Sequence, residues 1–136
     1  HRQDGVSLQG CHVLVADDDD LSRELLRELL GQYGIDVTEA SDGREAFEAV
    51  MSSPPHGLDA VLVDMRMPQM DGLAVTRAIR ALEREDLASL PVIAVSADSI
   101  QRECDIALGS GLNAYVTKPF DAHQLLDVLR QHVVLR

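Results

Sequence analysis

Ala60, Val61, Leu62 and Val63 form an unbroken apolar run that ends abruptly in a carboxylate, Asp64. Four apolar residues without alternation suit a strand covered on both faces, the kind found in parallel sheets. A carboxylate at the carboxyl end of such a strand is costly unless it is solvated or matched to a cation, so it calls for a reason. Pro68 and the pair Asp71-Gly72 end the extended segment and permit a turn into a helix.

The same step recurs along the chain. Val13, Leu14, Val15 and Ala16 run into Asp17, Asp18, Asp19 and Asp20; Val92, Ile93, Ala94 and Val95 into Ser96; and residues 113–117 into Lys118. Residues 35–40 alternate apolar and polar, which suits a less covered edge strand. Between these strands the apolar spacing predicts helices. Leu21, Leu25, Leu26, Leu29, Leu30 and Tyr33 lie on the first, which Gly34 stops and whose start Asp19 and Asp20 favour. Asp42 and Glu45 form a capping box for a second helix running to about Met51. Leu73, Val75, Ala78, Ile79 and Leu82 mark a third, opening near Asp71. Ile100, Cys104, Ala107 and Leu108 mark a short fourth, closed by Gly109 and Gly111. Asp121 and Gln124 cap a last helix carrying Leu125, Leu126, Val128, Leu129 and Val133. Residues 80–90 are charged and ambiguous.

Five strand and helix units in alternation define an α/β fold with a parallel sheet and right-handed crossovers. In such sheets ligands bind at the carboxyl ends of the strands. Asp17, Asp18, Asp64, Ser96 and Lys118 all stand at those ends, so four of five strands deliver a polar group to one edge. The 136 residues suffice for one domain, and no apolar run approaches the ~18 residues of a membrane span. A soluble protein is expected. Residues 1–10 are polar and read as a tail or severed linker, leaving residues 11–136 as the domain.

A net charge of -11 with 3% aromatic residues disfavours nucleic-acid binding, which needs basic patches and stacking side chains. Eleven of twelve basic residues are Arg, and the single Lys is Lys118 at a strand end. Cys11 and Cys104 lack any disulfide or metal spacing and are expected to be reduced thiols. The five histidines likewise show no metal spacing.

Several carboxylates gathered at one edge repel one another and are stable around a bound cation. Hard oxygen ligands suit Mg2+, which typically takes one or two carboxylates plus phosphate oxygens. A hydroxyl and an ammonium nearby complete a site for phosphoryl transfer, with Asp64 as the nucleophile forming an acyl phosphate.

With these residues in view, the chain resembles a receiver domain of two-component response regulators. The matching motifs are the pair Asp17-Asp18, VLVDMRMPQMDG around Asp64, VIAVSAD around Ser96 and AYVTKPF around Lys118. The resemblance implies a flavodoxin-like (βα)5 three-layer sandwich with sheet order 2-1-3-4-5. It implies that Asp18, Asp64 and the Arg66 carbonyl ligate Mg2+, or Mn2+ in its place, with Asp17 acting through water. It further implies that Ser96 and Lys118 hold the phosphoryl group, that Tyr115 is an aromatic switch, and that the Lys118-Pro119 bond is cis. Arg66 and Asp98, each two residues beyond a site residue, are expected to form a gate over the mouth. The implied donor is a phosphohistidine on a histidine kinase or a histidine phosphotransfer domain, in the cytoplasm, the parent protein being free to carry a membrane anchor. The texts DGLAVTRAIRALE and PVIAVSADS look most like receivers fused to hybrid sensor histidine kinases.

Other classes fit less well. Haloacid-dehalogenase-like phosphatases carry a second Asp two residues beyond the first, where Arg66 stands. A flavin-binding module needs a Ser, Thr and Gly-rich phosphate loop where this chain has four Asp. A stand-alone response regulator shares every motif, and a degenerate receiver that only binds protein would have lost some of them.

Overall fold

The structure, a computed structural model, describes residues 8–97, 109 and 111–133. Five strands, β1 His12–Ala16, β2 Asp36–Ala40, β3 Ala60–Asp64, β4 Val92–Ser96 and β5 Ala114–Thr117, form one parallel sheet in the order β2-β1-β3-β4-β5. Among the described residues five helices accompany them: α1 Asp20–Gly31, α2 Gly43–Ser52, α3 Gly72–Arg80, α4 Glu85–Ala88 and α5 Ala122–His132. This is the expected flavodoxin-like architecture and strand order. The helix expected around Ile100, Cys104, Ala107 and Leu108 lies outside the described residues. Among the described residues no helix is long and apolar enough to cross a membrane.

The apolar runs are continuous because the sheet is covered on both faces, and alternate residues serve different cores. Leu14, Val61, Val63, Val92 and Ala94 pack with Ala46 and Val50 of α2 and Val75 and Ile79 of α3. Val13, Val15, Leu62, Ile93 and Val95 pack with Leu26 and Leu30 of α1 and Leu125, Leu126 and Leu129 of α5. Each fully buried Leu, Ile or Val contributes about 1.5–3 kcal/mol of transfer free energy. Leu8, within the stretch read as a tail, is buried in the second core.

Carboxylate caps start the helices that leave the site edge. Asp19 accepts from the N–H of Leu21, Asp42 from Glu45, Asp71 from Ala74 and Asp121 from His123. The last goes to His123 rather than closing a box with Gln124. In α1 the apolar side chains do not share one buried face. Leu26 and Leu30 are buried, whereas Leu21 is 62% and Leu25 55% exposed. Leucines at Leu21, Leu25, Leu26, Leu29 and Leu30 span more of the helix surface than the sheet beneath can cover.

The ambiguous stretch after α3 resolves into the single turn α4, with Leu87 and Leu90 buried. Arg80 fastens it. Its guanidinium donates to the carbonyls of Ala88, Leu90 and Gly111 and to Oδ1 of Asn113, at 2.7–3.0 Å. All four acceptors are neutral, and burial lowers the Arg80 pKa.

At one helix start the backbone approach is close enough to require glycine. A Cβ on Gly43, the first residue of α2, would lie 1.8 Å from the carbonyl oxygen of Met70 in the β3–α3 loop. Gly43→Ala therefore has to push α2 and that loop apart, and is expected to cost about 1–3 kcal/mol. Urea unfolding measures the loss; an unchanged midpoint at unchanged slope would show that the two elements separate freely.

Candidate functional site

Parallel register sets the strand ends level. Ala16 lies opposite Val63 and Ala40, Asp64 opposite Val95, and Ser96 opposite Thr117, so the residues just past each strand share one edge. Asp17 is held there by its N–H to the Ala40 carbonyl, and Lys118 by its N–H to the Ser96 carbonyl. Asp17 and Ser96 are buried, Asp64 and Lys118 partly buried, and Asp18 exposed.

One carboxylate oxygen from each of Asp17, Asp18 and Asp64 lies within 4.8 Å of the others. Lys118 Nζ contacts Asp17 Oδ2 at 2.8 Å and stands 3.8 Å from Asp64 Oδ2. The second oxygen of Asp17 accepts the N–H of Asp19 at 2.9 Å, and Oδ1 of Asp64 accepts the N–H of Arg66 at 3.2 Å. Three negative charges thus face one ammonium. Like charges at such separations repel by on the order of 3 kcal/mol per pair at an effective dielectric constant near 20. The donor set is all hard oxygen, two groups are partly or wholly exposed, and the remaining charge is negative, so a small divalent cation fits.

The electrostatics record this imbalance. Burial pushes the Asp64 carboxyl up to about 6, assisted by Asp17 and opposed by the Arg66 N–H and the Lys118 charge. For Lys118, burial acts downward, but the bond to Asp17 and the charges of Asp64 and Asp17 outweigh it and hold the ammonium above the usual lysine range.

The structure thus brings together Asp17, Asp18, Asp64 and Lys118, with Ser96 at the same edge. Arg66 is exposed and borders a groove of about 540 Å³ with Asp18, Met67, Pro68 and Asp71. Tyr115 is half-buried on β5 and packs against the core on the α2 and α3 side. Asp98, the other half of the expected gate, lies outside the described residues. The Lys118-Pro119 bond is cis.

Two features escaped the sequence reading. One is the apolar groove of about 530 Å³ formed by Leu25, Leu29, Ala97, Pro119 and Phe120, with Lys118 on its wall. Its signal was the surplus of leucines on α1. The other is Arg23, whose Nη1 donates to the Asp17 carbonyl at 2.7 Å. Its signal was a basic residue near the amino end of a helix, where the dipole disfavours one.

A doubly covered parallel sheet of this order with a carboxylate cluster and a lysine at its carboxyl edge is a flavodoxin-like fold carrying an acidic site. Residues 13–130 match the response regulator receiver domain family, and the chain belongs to it. It is 35% identical over 123 residues to hybrid signal transduction histidine kinase I of Dictyostelium discoideum, covering 89% of this chain and 7% of that protein. It is also 35% identical over 136 residues to histidine kinase 3 of Arabidopsis thaliana, of which it covers 13%. The chain therefore spans a small part of these curated relatives. Among solved structures it is similar to the receiver domain of a Pseudomonas aeruginosa sensor histidine kinase, which holds a magnesium ion coordinated in its active site cleft. The two share 31% identity and a TM-score of 0.80 over 90% of this chain and 97% of the other.

The raised Asp64 pKa carries a stability consequence for the metal-free protein. A folded-state value of about 6 exceeds the roughly 3.9 of an unfolded Asp, so the folded state binds this proton more tightly. Its contribution is full below about pH 4 and is lost as pH rises through about 6. In chelator, Asp64→Asn should be more stable than wild type at neutral pH by on the order of 1 kcal/mol, after allowance for solvent screening of a partly exposed group. Urea unfolding at both ends of this range checks it; a gap that persists in acid would contradict the titration.

Proposed function

We propose that this chain takes a phosphoryl group from a phosphohistidine donor onto Asp64. The observation that carries the reading is Asp64 itself: a partly buried carboxylate, 3.8 Å from a lysine ammonium and gathered with two further carboxylates. An Asp64 oxygen attacks phosphorus, the P–N bond of the donor breaks, and the imidazole leaves as an acyl phosphate forms. Asp17, Asp18, Asp64 and the Arg66 carbonyl would hold Mg2+, or Mn2+ in its place, and that ion would neutralise oxygens of the transferring group. Lys118, already paired to Asp17, would take a phosphoryl oxygen, and Ser96, at the same edge, would donate its hydroxyl to another. Tyr115 would follow Ser96 and alter the surface near β4 and β5, a local charge event biasing a two-state face. Arg66 and Asp98 would limit access of water to the acyl phosphate.

The kinship with histidine kinases supports a parent of the hybrid sensor type, with residues 11–136 as its receiver, residues 1–10 as a linker that packs onto it through Leu8, and a cytoplasmic location. A histidine kinase or histidine phosphotransfer domain would be the donor. The groove lined by Leu25, Leu29, Pro119 and Phe120 supports protein docking, because Lys118 forms its wall and a helix seated there would present its histidine to Asp64. A second reading, docking without chemistry, has no observation in its favour, since no residue of the constellation is missing.

Incubation with acetyl phosphate followed by intact-mass analysis tests the chemistry. One phosphate should add in Mg2+, with none added in chelator and none on Asp64→Asn; undiminished labelling of either would overturn the assignment. The groove gives a separate expectation. Leu25→Glu should slow transfer from a phosphorylated histidine phosphotransfer domain by about tenfold, the cost of losing one well-packed contact of about 1.4 kcal/mol. Labelling by acetyl phosphate should not change, and an equal loss with both donors would place the defect in the site instead.

A further inference from the structure

Arg23 lies one turn into α1, its side chain 15% exposed, and its guanidinium donates in three directions. Nη1 reaches the Asp17 carbonyl at 2.7 Å, Nη2 reaches Asp20 Oδ1 at 2.6 Å, and Nε reaches Glu39 Oε1 at 3.1 Å. A single planar group thereby ties the turn between β1 and α1 to β2. That turn carries Asp17 and Asp18. Glu39 is itself steadied by Arg27, whose Nη1 donates to its other oxygen at 3.0 Å. Other restraints on the turn include the Asp17 N–H to the Ala40 carbonyl, the Asp19 N–H to Asp17 Oδ1 and Lys118 Nζ to Asp17 Oδ2.

Asp20 and Glu39 balance the Arg23 charge, but toward the helix dipole and an incoming cation the placement is unfavourable. A cation near the amino end of a helix opposes the dipole, and a cation bonded to Asp17 repels a divalent ion at the same residue. What the placement offers is geometry. Fixing the Asp17 carbonyl fixes the peptide plane that joins Asp17 to Asp18, and with it the direction in which both side chains leave the backbone. The rigid fork of Arg is suited to holding three acceptors at once, which the point charge of Lys is not.

We infer that Arg23 is a positioning residue for the acidic pair: it holds Asp17 and Asp18 in the orientation a divalent cation requires before the ion arrives. This rests on the metal reading of the cluster given above. Groups that orient metal ligands from behind typically change metal affinity by about 10- to 100-fold when removed. Here the opposing loss of a repulsive charge places the expected effect at the low end.

The sign of the change separates anchor from charge. If Arg23 acted only as a charge, Arg23→Met would remove a repulsion, free Asp20 and Glu39, and tighten Mg2+ binding. As an anchor, its loss weakens binding. Calorimetric titration of Mg2+ into the metal-free protein measures this, with circular dichroism melts to follow the fold. Arg23→Met should weaken Mg2+ by about tenfold. Arg23→Lys, which can still reach the Asp17 carbonyl, should recover part of that loss. Arg27→Met should lower the melting temperature and leave Mg2+ affinity unchanged, because its partner is Glu39 and not the Asp17 carbonyl. At 0.5 M KCl the Arg23→Met deficit should persist, since salt screens a charge effect and not a geometric one. Unchanged or tighter Mg2+ binding by Arg23→Met overturns the inference. If that variant does not fold, Arg23→Lys decides the matter by the same sign, weaker binding supporting the role and equal or tighter binding refuting it. Absence of Mg2+ binding by the wild type would remove the metal site, and the role of Arg23 with it.

Discussion

The ion pair between Lys118 and Asp17 closes the site edge, and much of the molecule is arranged so that it can form. Its partners are 101 residues apart in sequence and stand beyond different strands, with β3 and β4 between β1 and β5. They meet at 2.8 Å because three parallel pairings hold the strand ends in register. A register slip of one residue in any of these strands would turn its side chains to the opposite face. Two separate apolar cores make such a slip costly, because each strand residue belongs to one core or the other. Packing thus enforces the register, and the register in turn sets the positions of the charges.

The charges are deliberately unequal in number. Lys118 can satisfy Asp17 fully and Asp64 only at longer range, while Asp18 faces solvent. In the absence of an ion, burial first and the Asp17 charge after it disfavour the ionised Asp64 carboxylate. Rigid backbone restraints on Asp17, through Ala40, Asp19 and Arg23, keep the carboxylates from relaxing apart. Stability is given up at a place where, on the function proposed, an incoming cation and phosphoryl group would restore the balance.

Much of this was legible in the sequence because it depends on short-range pattern. Unbroken apolar runs marked β1, β3 and β4, alternation marked β2, the polar residues after the strands marked the site edge, and Asp19, Asp42, Asp71 and Asp121 marked the helix starts. What was not legible depends on tertiary neighbours. Periodicity shows that Leu25 and Leu26 are both apolar, but only the width of the sheet under α1 decides that Leu26 is buried and Leu25 is not. Arg23 takes its meaning from Glu39, 16 residues away, and Arg80 from Gly111, 31 residues away. Neither spacing corresponds to a helical or strand period. Residues 80–90 resisted assignment for a related reason: α4 is a single turn, and side-chain and carbonyl bonds from outside it hold the segment in place.

Arg80 also divides the molecule electrically. It sits near the amino ends of β4 and β5, away from the acidic edge, and every acceptor it meets is an uncharged carbonyl or amide oxygen. Hydrogen bonds to neutral groups involve no counter-charge that protons can remove, and salt weakens them far less than it weakens exposed ion pairs. Across the strands' length, then, the sheet joins two ends of contrasting temperament. On the function proposed, the carboxyl end would answer to protons, ions and phosphate, while the bonds that Arg80 makes at the amino ends of β4 and β5 depend on none of the three and offer a fixed frame against which the other end could rearrange.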